Sequence, residues 1–300
     1  MKQRKWLNRF LIIVITIFLI LVSYLAVIYS SFSDPTKANA FLRKAKTYQY
    51  LSEIIKIETK NKINQEGQNP LQTFIAAGLT NQLVTPQVVE SFGIPTMKLV
   101  YGILKDPAPI TGSTTIDTSE YKKQLMGQVS RLNLPELITT TVNNAINSIP
   151  EKVTFTSQTK DQNNLPKLLN IVKAVFNKLS TALNILIIAL VISLAGLIAV
   201  NFHIPKRFFK STAWSFGIAG TIVFTSSYFL PYIIHRFTPR SSDPLIGSQI
   251  NGLINSVVNR LFEQLRILST IFIITALIAY LVYRFAFPSR NPDDPIAKLS

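Results

Sequence analysis

No cysteine occurs in these 300 residues, so disulfides, thiol catalysis and thiolate metal sites are excluded together. Histidine is almost as scarce, with His203 and His235 alone. Charge is also thin: charged residues make up 15% of the chain, against roughly 25% in ordinary soluble domains. Several sequence signatures are missing as well. There is no Gly-x-Ser-x-Gly elbow, no His-Glu-x-x-His pair, no Gly-rich phosphate loop ending in Lys, and no dinucleotide fingerprint. No Asn-x-Ser/Thr acceptor is present despite many asparagines, and the abundant Ile, Lys and Asn fit a bacterial, AT-rich coding sequence.

The deficit of charge is concentrated in four apolar runs, each able to cross a bilayer that needs roughly 20 mostly apolar residues. The reading divides the chain into a cytoplasmic N-terminus 1–9, a first span 10–32, and an outer helical domain 33–165. An amphipathic stalk plus second span follows at 166–202, then a cytoplasmic hairpin 203–210 and a third span 211–234. An outer amphipathic helix 235–266, a fourth span 267–285 and a cytoplasmic tail 286–300 complete it. The fold class expected is a mainly α membrane protein with a mostly helical extracytoplasmic domain, holding at most one small two-stranded sheet, between the first two spans.

Lys2, Arg4, Lys5 and Arg9 precede the first run in the order of an export signal. The run is longer than a signal peptide's apolar core, however, and Tyr24, Tyr29 and Phe32 spoil small-x-small cleavage sites, so it reads as an uncleaved anchor. Trp6 and Tyr29 lie where interfacial aromatics belong. Lys206, Arg207 and Lys210 in the hairpin join the N-terminal cations in placing both termini inside. Arg236, Arg240, Arg260 and Arg266 in the longer loop oppose that assignment.

In the outer domain, Phe41, Ala45, Tyr48, Leu51, Ile54 and Ile55 set helical spacing from Thr36 to about Ile63. Pro70 opens a second helix along Leu71, Phe74, Ile75, Leu79 and Leu83. A helix capped at Thr85-Pro86 is expected to stop at Gly93 and Pro95, with a new one from Thr96 to Leu104. Asp106 to Ser113 reads as a turn region and Thr114 to Asp117 as a short strand. Thr118 or Ser119 caps a helix to about Leu132, and Pro135 begins another to Ile149. Lys152 to Ser157 alternates as a strand able to pair with the first. Before the second span, Leu168, Leu169, Val172, Val175, Phe176 and Leu179 make one stripe. From Asp243-Pro244 onward, Ile250, Leu253, Ile254, Val257, Val258, Leu261, Phe262 and Leu265 make another.

All four spans lack Asp, Glu, Lys, Arg and His in their interiors, which leaves proton-coupled transport without an obvious carrier. The polar groups available within them are Asn184 and Ser193 in the second span and Thr221, Thr225, Ser226 and Ser227 in the third. Such groups ordinarily serve helix contacts. Ala189, Ser193, Gly196, Ala213, Gly217 and Gly220 permit close helix approach. His203 and His235 are expected on opposite membrane faces, where they cannot share a metal. The outer carboxylates Glu90, Asp106, Asp117, Glu120 and Glu136 are spread over several turns, with solvation as their default role.

No catalytic residue, cofactor ligand or metal ligand is assigned. The function expected is that of a non-enzymatic, multi-pass protein of the bacterial cell membrane. Its outer domain would bind another envelope component as scaffold, assembly factor or sensor. The alternatives are a transporter or channel subunit with a polar path between spans two and three, or an envelope hydrolase in which Asp117, Glu120 and a further carboxylate share a cleft. Partners expected are the lipid bilayer and an envelope protein or a second copy of the chain. Charge spread along the sequence, despite a net +16, argues against nucleic acid.

Overall fold

The structure is a computed structural model, and it describes residues 2–65, 84–106, 115–131, 136–154, 164–236 and 244–287. It is almost entirely helical. In chain order the elements are α1 (Lys2–Phe32), α2 (Pro35–Lys44), α3 (Thr47–Gln65) and α4 (Pro86–Lys105). Then come β1 (Thr115–Asp117), α5 (Ser119–Arg131), α6 (Glu136–Asn147) and β2 (Lys152–Thr154), followed by α7 (Asn164–Asn201), α8 (Pro205–Arg236) and α9 (Pro244–Leu281). A π-helical turn, Val282–Ala286, closes α9. Four of these helices, α1, α7, α8 and α9, are long and apolar enough to cross a membrane. The expected helix from Pro70 lies outside the described residues, as does the turn region after Asp106.

Two compact units divide the chain. One gathers residues 1–27, 182–230 and 262–300; the other gathers 28–181 and 231–261. In the first, Ile15, Leu19, Leu197 and Ala219 form a buried core from α1, α7 and α8, with Phe272 of α9 packed against it. Polar ties link α1 to α8 at three levels. Asn8 donates to Ser211 Oγ at 2.9 Å, Thr16 Oγ1 reaches the Ser215 carbonyl at 3.5 Å, and the Tyr24 hydroxyl bonds Ser226 Oγ. The numbers rise together along both helices, so α1 and α8 run parallel. Asn8, Thr16 and Tyr24 are equally spaced, about 12 Å apart along the axis, and the ladder covers most of a hydrocarbon core about 30 Å thick.

Glycines set the remaining close approaches. A Cβ on Gly196 of α7 would face Leu11 of α1, and one on Gly217 would lie 3.6 Å from Ala276 of α9. At Gly220 a Cβ would come within 2.9 Å of Ile273 Cγ1 and 3.2 Å of its backbone nitrogen. These three glycines of the second and third spans therefore face α1 and α9. A bilayer offers no hydrophobic drive for helix pairing, so shape fit decides where such residues go.

In the second unit, Ala38, Phe41, Ala45, Tyr48, Tyr101 and Leu104 are buried along α2, α3 and α4. Leu125 and Val129 of α5 pack with Ile146 of α6 and with Phe92 of α4. β1 and β2 pair antiparallel over three rungs, Thr115 with Thr154, Ile116 with Val153 and Asp117 with Lys152. That ladder is too small to form a layer of its own. Residues beyond Thr154 in the expected second strand lie outside the described ones.

Three sequence-based boundaries are corrected. The helix expected from Thr36 to Ile63 is broken into α2 and α3 by Lys46, whose φ of 57° is left-handed. The break turns Tyr48 back to bond Asn39 of α2. The stop expected at Gly93 and Pro95 is absent, and α4 runs through both. Gly93 has no side chain, and the Tyr48 ring and Asn39 Oδ1 close on it there, the latter 2.9 Å from where a Cβ would stand. Arg43 adds an ion pair to Glu90 at 3.5 Å, a small contribution for an exposed pair, and α4 continues through Pro95 despite the backbone bond that it removes. The hairpin expected over 203–210 shrinks to 202–204. Pro205 supplies a preset φ at the first helical position, so Lys206, Arg207 and Lys210 stand on α8 itself.

The amphipathic segment 244–266 is continuous with the fourth span in α9, and residues 251–258 are half-buried throughout. The Tyr50 ring of α3 packs directly onto Gly252. The 244–261 portion of α9 thus belongs to the packing of the second unit rather than lying free on a surface.

Candidate functional site

The most developed site in the first unit begins with three polar side chains at the turn end of the bundle. Asn201, the last residue of α7, donates to Asn8 Oδ1 at 2.7 Å and to its own helix at Leu197 O at 2.9 Å. Ser211 of α8 accepts from Asn8 Nδ2 at 2.9 Å, with its oxygen 3.2 Å from Asn8 Oδ1. Asn201 and Ser211 are each 3% exposed. Buried amides of this kind cost free energy unless paired, and here each finds a partner on another helix.

This clasp forms the floor of a cavity of about 410 Å³. Arg4, Lys5 and Arg9 of α1 line one side, and Arg207 and Lys210 of α8 line another. Ile12, Val200, Trp214 and Ile218 continue the wall into the apolar bundle. The five cations are exposed, and among the described residues none forms an ion pair. A second cavity, about 640 Å³, lies between α8 and α9. It shares Lys210, Trp214 and Ile218 with the first, and is otherwise lined by groups such as Gly217, Ala276, Leu277 and Tyr280. Lys206 and Lys210 stand over the Tyr283 ring, 5.5 and 5.8 Å from its centroid. A cation on a ring face gains about 0.5–1 kcal/mol at an exposed site.

The polar groups of the second and third spans do not converge. Asn184, Thr221 and Thr225 are exposed, Thr221 on the groove facing α9. Ser193 bonds back to Ala189 O at 2.7 Å and Ser227 to Phe224 O at 2.6 Å, each satisfied within its own helix. Ser226 bonds back to Val223 O at 2.9 Å and meets Tyr24 of α1. Arg266 places its guanidinium 4.4 Å from the Tyr228 ring centroid, a contact the loop-charge reading did not foresee. His203 stacks edge-on against Phe202 in the turn, while the side chain of His235 lies outside the described ones.

In the second unit the carboxylates have separate partners. Glu90 pairs with Arg43, Asp117 accepts from the Ser119 amide at 2.8 Å, and Glu120 accepts from Gln124 at 3.0 Å. The Ser119 amide holds Asp117 below the usual carboxylate range, an arrangement that begins α5. Asp34 caps α2 by accepting from the Lys37 amide at 2.8 Å, and that bond likewise holds its carboxyl down. Burial pushes the Tyr48 hydroxyl up to about 12, helped by the Glu90 charge. Burial does the same to Tyr101, with Asp34 as the secondary cause. Tyr101 donates to the Phe32 carbonyl at 2.6 Å and meets the Phe176 ring edge-on at 5.1 Å. Among the described residues no three of His, Asp and Glu cluster as a metal site would require.

The sequence reading counted the cations of α1 and α8 only as topology signals and missed Asn8, Asn201, Ser211 and Trp214. The available signal was faint: polar residues at the ends of spans, next to basic ones.

Four long apolar helices with small and polar residues at their contacts define the class, a multi-pass helical membrane protein. Comparison with family models, with curated proteins and with solved structures returns no match.

Proposed function

We propose that the chain is a non-enzymatic, multi-pass protein of a bacterial cell membrane whose outer helical domain docks another protein of the envelope. Both termini and the 202–204 turn are assigned to the cytoplasmic side. The basic residues at that end support the orientation, and the parallel course of α1 and α8 puts the start of α1 and the 202–204 turn at the same end of the bundle.

One observation carries the docking reading. Ile171, Val172 and Val175 of α7 are 61%, 44% and 60% exposed, a contiguous apolar stripe. At 38 residues α7 is about 57 Å long, nearly twice the hydrocarbon core. Lys173 and Lys178 lie at the level of the stripe, whereas the next 20 residues carry no charge. The charge-free part fills the bilayer, and the stripe stands above it, where exposed apolar surface is the mark of a protein contact. Photocrosslinking from position 175 in native membranes tests this. A reproducible adduct with one other envelope protein is expected. Adducts with lipid alone, or only with a second copy of the chain, would defeat the proposal.

A further inference from the structure

We propose that the basic cavity at the turn end of the bundle is a binding site for an anionic phospholipid, its phosphate held among the cations and an acyl chain laid in the α8–α9 groove. The inference is independent of what the outer domain docks.

Three features support it. The first is charge: Arg4, Lys5 and Arg9 face Arg207 and Lys210 across one cavity, and among the described residues no carboxylate neutralises them. The second is depth. Arg9 directly precedes the apolar run that starts at Phe10, and Lys210 directly precedes the charge-free part of α8, so the cations sit where headgroups sit. Trp214, 57% exposed and one turn deeper than Lys210, lies at the depth of an interfacial aromatic.

The third is amphiphilicity, which selects a lipid over a soluble phosphate. The basic cavity and an apolar groove of about 640 Å³ between α8 and α9 share Lys210, Trp214 and Ile218 in their walls, so cations and apolar surface adjoin along one helix. A free anion would have no use for a groove walled by Ala276, Leu277 and Ile273. The polar clasp of Asn8, Asn201 and Ser211 fixes the two cationic walls relative to each other, which reduces the ordering cost on binding. Tyr283, which lines the groove, holds Lys210 by its ring face, 5.8 Å from the centroid.

The test uses the full chain in phosphatidylcholine nanodiscs doped with phosphatidylglycerol or cardiolipin, counting retained lipid by native mass spectrometry. The wild-type protein should retain the anionic lipid preferentially. Arg207→Gln with Lys210→Gln should weaken retention about thirty-fold, the effect of two juxtamembrane cations. Arg4→Gln with Arg9→Gln, on the opposite wall, should reproduce the loss. Arg284→Gln removes a charge from the same end without touching either cavity and should leave retention unchanged. Melting in pure phosphatidylcholine should be the same for all four proteins, which separates loss of binding from loss of fold. Equal loss with Arg284→Gln would overturn the proposal, as would no anionic preference at all. Displacement of the lipid by millimolar inorganic phosphate would identify a soluble-anion site instead and overturn it equally.

Discussion

Asn8 and Asn201, separated by 193 positions in the chain, share a side-chain hydrogen bond of 2.7 Å that joins the first helix to the end of the second long apolar one. Asn8 also donates to Ser211, so one exposed-edge amide serves two buried partners on two helices. Asn8→Ala removes both interhelical bonds, leaving Asn201 its bond to Leu197 O and Ser211 without the amide it meets, and the expected loss is about 1 kcal/mol by thermal or denaturant unfolding in detergent. Interhelical bonds in membrane proteins average only about 0.6 kcal/mol, and the larger figure is expected because two such bonds are lost at once. The combined change of Asn8 and Asn201 to Leu should cost less than the sum of the single changes. A cycle showing strict additivity would remove the clasp from the account.

Glycine contacts give a second test with opposite signs. Gly220→Ala drives a methyl group into Ile273 and its backbone, and should destabilise by about 1–3 kcal/mol. Gly127→Ala in α5 meets nothing within 4 Å and should stabilise by up to about 1 kcal/mol through helix propensity. Equal effects on melting temperature from the two changes would refute the assigned α8–α9 contact.

The packing of α9 on α3 is tested at Gly252. Gly252→Ala pushes on the Tyr50 ring and should lower stability, while Tyr50→Ala in the same chain should recover much of the loss. If the helix segment lay apart from α3, Gly252→Ala would be neutral or mildly stabilising.

Ionisation of tyrosine offers a pH test. Tyr48 and Tyr101 are each held protonated up to about 12, against about 10 for an unfolded tyrosine. A raised folded value means stabilisation that is complete below about pH 10 and lost as pH climbs toward 12. Absorbance titration should show these two groups ionising late, together with loss of helix. Tyr48→Phe or Tyr101→Phe should each remove one late-titrating group; ordinary titration of all tyrosines would count against the buried hydroxyls.

At the acid end the sign reverses. Asp34 is held below its usual range by the Lys37 amide, so its contribution is present above about pH 4 and fades as pH falls through the lowered folded value. Asp34→Ala should cost about 1 kcal/mol at neutral pH, whereas Asp34→Asn keeps the cap and loses the acid dependence. Identical acid profiles for wild type and Asp34→Asn, followed by circular dichroism, would exclude this source.

Much of the architecture was legible in the chain because it follows from local rules. Charge-free apolar runs bounded by Arg and Lys give four long helices, since a backbone in lipid must satisfy its own hydrogen bonds. Thr85-Pro86 gives a helix start for the same local reason, a capping oxygen and a preset φ. Pro95 and Lys46 were misread because their outcomes depend on distant groups. α4 runs on through its proline where Tyr48 and Asn39 close on Gly93, and a left-handed Lys46 breaks a helix whose spacing looked continuous. The candidate site was still less visible. Its cations are ordinary topology signals in sequence, and only the fold brings positions 4–9 and 207–210 around one cavity over Asn8 and Asn201. Solvation and backbone hydrogen bonding act on each segment separately, so the sequence by itself determined which segments are helices and which of them suit lipid. Which faces meet, and which charges share a cavity, is a matter of shape and pairing between residues far apart in the chain, and that only the tertiary structure decided.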